Sequence, residues 1–152
     1  MNVCPSMILL THAHPDHAGG LGELSNAFDC PTYIDHKEPR PKGSNNFKIV
    51  KEGDELKLGK LRIRCIETPG HTTGGVSYLI NQTLLSGDVI FAGSMGRACS
   101  PSLQLKQCLS YFIYSQSFHI ISIFFYILNP NKIIKVPFNS FFKFVIQYFT
   151  FM

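Results

Sequence analysis

Residues 11–20 read Thr-His-Ala-His-Pro-Asp-His-Ala-Gly-Gly, and this stretch decides the fold. It follows a short apolar run, Ser6–Thr11, which we expect to be a buried strand. Imidazole and carboxylate groups are suitable ligands for zinc or iron. The stretch places three histidines and one aspartate within six residues, in a chain that has six histidines in all. It therefore indicates a metal site rather than a polar loop with histidines by chance.

The spacing within this stretch also favours shared ligation. His12, His14 and Asp16 are separated by two positions each, which puts side chains on one face of an extended segment. His17 follows at once and is placed to face a second cation. Pro15 restricts the backbone between them and lowers the entropy cost of presenting the ligands.

Two later segments carry further candidate ligands. Residues 68–75 read Thr-Pro-Gly-His-Thr-Thr-Gly-Gly, in which His71 follows a predicted strand. Residues 86–94 read Ser-Gly-Asp-Val-Ile-Phe-Ala-Gly-Ser, in which Asp88 follows another. Taken alone, His71 is more often a turn histidine and Asp88 a turn or capping residue. A carboxylate that bridges two cations, however, offsets their repulsion.

In this order the three segments resemble the metallo-β-lactamase superfamily, closest to its glyoxalase II-like, or hydroxyacylglutathione hydrolase-like, branch. The resemblance covers about residues 6–97. It implies an α/β fold, an αββα sandwich with the site at one edge of the sheets. It implies zinc at two sites, with iron or manganese as alternatives. The implied ligands are His12, His14 and His71 for the first metal, Asp16 and His17 for the second, and Asp88 as the bridge between them.

The resemblance also implies a reaction. Two cations give hydroxide at neutral pH and polarise a carbonyl, which suits hydrolysis of a small-molecule thioester or ester. Asp16 is then the candidate catalytic residue that orients the hydroxide. Two alternatives stay open. One is a mono-iron persulfide dioxygenase-like oxidoreductase, whose two histidines and one aspartate match His12, His71 and Asp88. The other is an inactive truncated product.

The chain departs from the family's pattern at both ends. Few residues precede the first predicted strand, where the family has two or more strands. The family's last histidine, in a Gly-His-Gly context, has no match, because the only later histidine is His119 in Ser-Phe-His-Ile-Ile. We therefore expect an incomplete second metal site and poor independent stability, with His119 not a ligand.

Composition divides the chain into residues 1–97, an incomplete metallo-β-lactamase-like domain, and residues 98–152, a divergent apolar tail of low complexity. No glycine follows Gly96, and ten of the thirteen phenylalanines follow residue 111, so the tail does not continue the first part. We favour translated non-coding or frame-shifted sequence. A membrane segment and an ordinary buried helix or strand pair are the alternatives. The apolar run Phe118–Leu128 is shorter than the roughly 20 residues that span a bilayer.

Apolar patterning predicts the remaining elements of residues 1–97. The periodicity of leucines and Phe28 favours a helix over Ala18–Phe28, and Arg40–Asn46 is a loop. Gly59-Lys60 and Asn81-Gln82 are predicted turns. The predicted strands after the first are Pro31–Asp35, Phe47–Val50, Glu55–Leu58, Leu61–Glu67, Val76–Ile80, Thr83–Ser86 and Val89–Phe91.

Charge and cysteine usage limit the partners and the compartment. The net charge is +4, and all ten acidic residues lie at or before Asp88. The five cations after that point are scattered, which argues against nucleic-acid binding. The five cysteines are widely spaced with no Cys-x-x-Cys pair, which favours reduced thiols in the cytoplasm. The segment Met1–Thr11 lacks the features of a signal peptide. Membrane binding is not expected, and the oligomeric state is left open.

Overall fold

The computed structural model describes residues 5–91, 94–104, 106–107 and 109, and the backbone of four later strands. The helices are α1 Pro15–Ala18 and α2 Leu21–Phe28, with a 3-10 turn at Gly87–Val89 and helical residues at 101–104 and 106–107. The strands are β1 Met7–Leu9, β2 Thr32–Asp35, β3 Phe47–Val50, β4 Glu55–Leu58, β5 Leu61–Glu67, β6 Val76–Ile80, β7 Thr83–Leu85, β8 Ile90–Phe91, β9 Ser94–Met95, β10 His119–Ile121, β11 Tyr126–Asn129, β12 Lys132–Lys135 and β13 Gln147–Phe149.

The strands form two main sheets and a small ribbon. The first sheet has the order β13-β12-β11-β1-β2-β3, the second β10-β7-β6-β5-β4, and β8 pairs with β9. Strands β1, β2 and β3 run parallel, whereas β4 to β7 are antiparallel neighbours. Their tight turns use the left-handed backbone at Gly59 (φ 59°) and Asn81 (φ 54°), as the turn residues predict.

Strand β1 is buried on both faces, which explains its uninterrupted apolar sequence. Met7 and Leu9 point into the core between the sheets, where they pack with residues of the second sheet such as Tyr78. Ile8 faces the other way and packs against Leu21 of α2 and Cys30. The alternation along one short strand therefore joins the inter-sheet core to the outer helical layer.

The segment between β1 and β2 forms two helices rather than the single one predicted from Ala18. Pro15 occupies the first position of α1, where its missing N–H costs nothing. Gly20 then interrupts the path (φ −90°, ψ 1°) before α2 begins. The expectation of an extended backbone through Asp16 is thus wrong, because the extended conformation ends at His14.

The helical layers lie on both outer faces. Helix α2 covers the first sheet, while Ile66, Leu84, Val89 and Ile90 form an apolar cluster beside the second. Gln107, in the helical residues that follow Pro101, donates from Nε2 to the Gly96 carbonyl at 2.7 Å. The αββα arrangement expected from the sequence is therefore confirmed.

One tyrosine ties the two sheets together near the site. The hydroxyl of Tyr78, in β6, lies 3.0 Å from the Leu10 carbonyl oxygen and 3.1 Å from that of Tyr33. The Val76 N–H also donates to the Thr11 carbonyl at 3.0 Å. These bonds bring the ends of β1 and β2 against the start of β6, so that the loops carrying the candidate ligands share one edge.

The later strands join the sheets through their backbones. Strand β11 runs antiparallel to β1, with Ile127 opposite Ile8, and β10 runs parallel to β7, with His119 opposite Thr83. The apolar run Phe118–Leu128 lies partly outside the described residues. No helix in the described part of the chain has the length and apolar character needed to cross a bilayer.

Candidate metal centre

Three loops meet at the site edge of the sheets. His12 follows β1, His71 lies between β5 and β6, and Asp88 sits in the 3-10 turn after β7. Gly87 allows the last loop to approach, because it has a left-handed backbone (φ 55°) and a Cβ there would lie 2.5 Å from the Thr11 Oγ1. Close backbone packing thus brings Asp88 beside the His12 loop.

His12 is a buried neutral imidazole with an unused ring nitrogen. Its Nδ1 lies 3.1 Å from the Thr11 hydroxyl, while its Nε2 has no hydrogen-bond partner among the described residues. Burial, followed by the charges of His17 and His71, lowers the pKa of His12 to about 3. A neutral imidazole with one nitrogen hydrogen-bonded to a hydroxyl is fixed in orientation, so that its other nitrogen can bind a metal.

His14 and His71 face each other. The Nδ1 of His14 lies 3.0 Å from the Nε2 of His71. The Nδ1 of His71 donates its proton to the Arg97 carbonyl oxygen at 2.8 Å, so its Nε2 carries the lone pair in the neutral ring. The candidate ligand atoms of His12, His14 and His71 all lie within 4.8 Å of one another.

Asp88 divides its carboxylate between two histidines. Its Oδ1 lies 3.2 Å from the Nε2 of His17, and its Oδ2 lies 3.6 Å from the Nε2 of His71. Burial alone would raise the pKa of Asp88, but the hydrogen bond and charge of His17, with the charges of His12 and His71, outweigh it and lower the pKa. The carboxylate is therefore anionic and placed between the two halves of the site.

A second group of ligand atoms overlaps the first. His12, His17 and Asp88 also offer atoms within 4.8 Å of one another. Asp16 belongs to neither group; its side chain is 55% exposed, and its Oδ2 lies 3.8 Å from the Nε2 of His17. The structure thus brings five of the six sequence-predicted ligands together and leaves Asp16 at the rim.

The donor set fits a metal. Histidine nitrogens and carboxylate oxygens are ligands of zinc and iron. A buried polar atom without a partner costs about 1–3 kcal/mol, and the Nε2 of His12 is such an atom within the described part of the chain. A cation would satisfy that nitrogen and relieve the close approach of His14 to His71.

Several contacts that orient these ligands were not found from the sequence. The Arg97 carbonyl fixes the tautomer of His71, although the role of Arg97 itself was left open. The Thr11 hydroxyl holds His12, and the carboxylate of Glu38 accepts the N–H of Ala13 between His12 and His14. Backbone groups leave no residue-type signal, and Glu38 lies outside every motif.

A cleft opens beside His71. It has a volume of about 500 Å³ and is lined by residues 95–101 with Gln104 and Gln107. This volume is within the range of small-molecule sites. Arg97, whose carbonyl bonds His71, is one of the residues that line it, so the cleft adjoins the candidate ligands.

Comparison with known proteins gives one family match. The family model of the metallo-beta-lactamase superfamily matches residues 5–107. The hydroxyacylglutathione hydrolase of Buchnera aphidicola subsp. Schizaphis graminum is 43% identical over 90 residues, covering 59% of this chain and 35% of that protein. That of Bdellovibrio bacteriovorus is 46% identical over 93 residues, covering 59% and 36%. The chain thus spans about a third of the length of these curated relatives.

A solved structure is similar over a larger share of both chains than these two relatives are. The crystal structure of TTHA1623 in a di-iron-bound form is 27% identical and covers 67% of this chain and 61% of its own, with a TM-score of 0.57. The two sandwiches therefore share a fold, and that relative is a di-iron-bound form.

Proposed function

The chain belongs to the metallo-beta-lactamase superfamily, and from that premise we propose that it is a metal-dependent hydrolase of a thioester or ester, of the hydroxyacylglutathione type. The observation that carries the proposal is the pair of overlapping ligand groups. They share His12, and the carboxylate of Asp88 lies between His17 and His71. The names of the two curated relatives support the substrate class.

The proposed ligands divide between two metal positions. His12, His14 and His71 would hold the first metal, and His17 with Asp16 would hold the second, with Asp88 shared between them. Zinc is the proposed metal, and the di-iron relative keeps iron as an alternative. A bound metal pair supplies Lewis acidity and lowers the pKa of water to near neutral.

The chain's own residues would prepare this chemistry. Arg97 accepts the Nδ1 proton of His71 through its carbonyl, which keeps the Nε2 of His71 available. Asp88 stays anionic and offers one oxygen to each half of the site. Asp16 is the proposed catalytic residue, because its half-exposed carboxylate can accept a hydrogen bond from the attacking water and orient it.

The cleft lined by residues 95–101 is the proposed place for the substrate. It adjoins His71, and the guanidinium of Arg97 can pair with a carboxylate on the thiol part of a glutathione-like thioester. In this arrangement an acidic small molecule would have its carbonyl toward the ligand loops.

The test uses the full chain purified with added zinc. Cleavage of a hydroxyacylglutathione thioester is followed by the release of free thiol, beside the matching oxygen ester. We expect turnover with the wild-type chain and none above background with His71→Ala. Stoichiometric bound zinc without turnover of either substrate contradicts the hydrolase proposal.

A mono-iron dioxygenase is the second candidate, because His12, His71 and Asp88 line one small cavity. Metal analysis separates the two proposals. Iron near one per chain with consumption of oxygen by a persulfide favours the dioxygenase, whereas two zinc ions favour the hydrolase. An inactive product predicts no turnover and loss of metal on dialysis.

We also propose that residues 98–152 are a divergent tail, of which residues 98–107 still fall within the family match. The end of the family match at residue 107 and the change in composition support this. A transcript with a splice site near codons 95–110 tests it, and an uninterrupted transcript through Met152 contradicts it. A cytoplasmic location is proposed from the wide spacing of the five cysteines, which include no Cys-x-x-Cys pair.

A further inference from the structure

A tight turn after β2 carries a buried carboxylate that the site chemistry does not use. Asp35 holds the turn, accepting the Lys37 N–H on Oδ1 at 2.8 Å and the Glu38 N–H on its carbonyl at 3.2 Å. This places Glu38 inward, where only 7% of it is exposed. A glutamate is rarely buried to that degree unless it is hydrogen-bonded on both oxygens.

The two oxygens of Glu38 bind two different loops. Its Oε2 accepts the N–H of Ala13 at 2.8 Å, and its Oε1 accepts the N–H of Gly74 at 3.1 Å. Ala13 lies between His12 and His14, and Gly74 lies three residues after His71. One carboxylate therefore joins the backbones of the two loops that carry the three-histidine group.

Gly74 shows how closely the second loop is seated on the turn. A Cβ at Gly74 would lie 2.7 Å from the Glu38 backbone nitrogen and 2.9 Å from the Lys37 carbonyl carbon. Both are backbone atoms, which cannot move aside as a flexible side chain can. The loop can therefore dock there only with glycine at this position.

We propose that Glu38 is a positioning residue that sets the separation of His14 from His71 by holding both loops on one carboxylate. This inference rests on the proposed metal site, which it deepens. Ala13 and Gly74 each need an acceptor, and a carboxylate offers two. A glutamine offers one acceptor oxygen, and its NH₂ group would face an N–H, so one loop would lose its bond.

The closing experiment measures metal affinity separately from activity and from folding. Zinc is titrated into the full chain in competition with a coloured chelator, and cobalt is added in a parallel titration followed by its visible absorption. We expect Glu38→Gln to bind zinc about 10- to 100-fold more weakly than wild type, as loss of a ligand-orienting contact does. We also expect an altered cobalt spectrum. The matched control, Glu23→Gln on the exposed side of α2, should bind zinc within twofold of wild type.

A purely structural role gives a different result. Glu38→Gln would then melt at a lower temperature but bind zinc and cobalt as wild type does where both are folded, and this overturns the proposal. If Glu38→Gln fails to fold, Gly74→Ala is titrated instead. Its methyl group should lift the loop from the turn and weaken zinc binding similarly, and unchanged affinity overturns the proposal.

A measurement on the wild-type chain separates this inference from the function beneath it. The amides of Ala13 and Gly74 should both be protected from hydrogen exchange. If the wild-type chain binds no metal, the proposed function fails, and the positioning role of Glu38 fails with it even where the amides are protected. If metal binds but either amide exchanges as fast as an exposed loop amide, only the positioning role is overturned.

Discussion

In the described part of the chain, possible metal ligands lie within 4.8 Å of one another at two places: the histidine centre around His12, with its two overlapping groups, and the group of Asp35, His36 and Glu67. The two places differ in how their polar atoms are already engaged. In the centre built around His12, a buried ring nitrogen has no hydrogen-bond partner among the described residues. In the group of Asp35, His36 and Glu67, the buried Oδ2 of Asp35 also has no hydrogen-bond partner among the described residues, but the ammonium of Lys37 lies 2.8 Å from the Glu67 carboxylate. That ammonium already supplies the positive charge that a cation would bring.

The difference teaches that proximity alone does not make a metal centre. The histidine centre combines one carboxylate with imidazoles, of which those of His12 and His71 each have one ring nitrogen bonded to a neighbour and the other available to a metal. The Glu67 carboxylate instead accepts from Lys37 and from the Glu52 N–H. Loss of a residue should therefore change metal binding in the histidine centre, but only local stability in the group of Asp35, His36 and Glu67.

The largest expected effect comes from removing one histidine from each group. His71→Ala should weaken zinc binding by more than about 100-fold, because a ligand lost from the metal itself exceeds the 10- to 100-fold cost of an outer contact. His36→Ala should leave the zinc affinity unchanged. Competition titration with a chelator measures both, and equal losses in the two variants would contradict the comparison.

The carboxylates provide the next effect. Asp88→Asn keeps the shape of the side chain but removes the negative charge that lies between His17 and His71. We expect zinc affinity to fall about 10- to 100-fold and the bound zinc to drop toward one ion per chain. The matched Glu67→Gln variant should keep the zinc affinity and the number of bound zinc ions of the wild type, as measured by metal analysis after dialysis.

A substitution beside the strands that lead to both places should affect stability instead. Tyr78→Phe removes the hydroxyl near the carbonyl oxygens of Leu10 and Tyr33, which precede the two groups on neighbouring strands. The loss should cost about 1–2 kcal/mol of unfolding free energy, because the Leu10 carbonyl loses this donor, whereas the Tyr33 carbonyl keeps the Leu10 N–H. Denaturant unfolding measures it, and a cost below a few tenths would show that the bond contributes nothing.

The smallest expected effect comes from breaking the ion pair between Lys37 and Glu67. The hydrogen bond with Lys37 lowers the pKa of Glu67, and the hydrogen bond with Glu67 raises that of Lys37. The stability that Glu67 contributes is present at pH values above its usual pKa of 4.5, and it is lost as the pH falls through the lowered pKa. The stability that Lys37 contributes is present at pH values below its usual pKa of 10.5, and it is lost as the pH rises through the raised pKa.

The pair should therefore contribute between those two limits, by about 0.2–1 kcal/mol, because the Lys37 side chain is exposed, that of Glu67 is only partly buried, and solvent screens both. A double-mutant cycle with Lys37→Ala and Glu67→Ala at pH 7 should give this coupling energy. It should shrink at pH 2 and in high salt, and a coupling that persists under both conditions would refute the assignment.

Local patterns in the sequence predicted much of this structure. Strand β5 has the predicted bounds, Leu61–Glu67, because its apolar and charged residues alternate along a half-buried face. The start of α2 was not predicted, since a short helix begun by Pro15 and an interruption at Gly20 leave the same leucine spacing as one longer helix. Periodicity reports a buried face and does not report where the backbone breaks.

For the site, residue types predicted the candidate ligands, five of which the structure brings together. They did not identify what orients those ligands. Glu38 lies 25 residues from Ala13 and 36 from Gly74, so its two bonds exist only after β1, β2 and β6 have assembled. The group that holds His71 is a backbone carbonyl, which every residue has. Such contacts depend on tertiary packing and have no local signature.

His14 and His71 face each other from positions 57 residues apart in the chain. An ion held by both would therefore act as a removable cross-link that closes a long loop of the unfolded chain. For a permanent link of that span, the chain-entropy model gives about 4 kcal/mol. A reversible link adds stability only in proportion to the logarithm of free metal over its dissociation constant. The melting temperature of this chain should then rise with the free zinc of its surroundings, so that metal supply sets how long the folded chain persists.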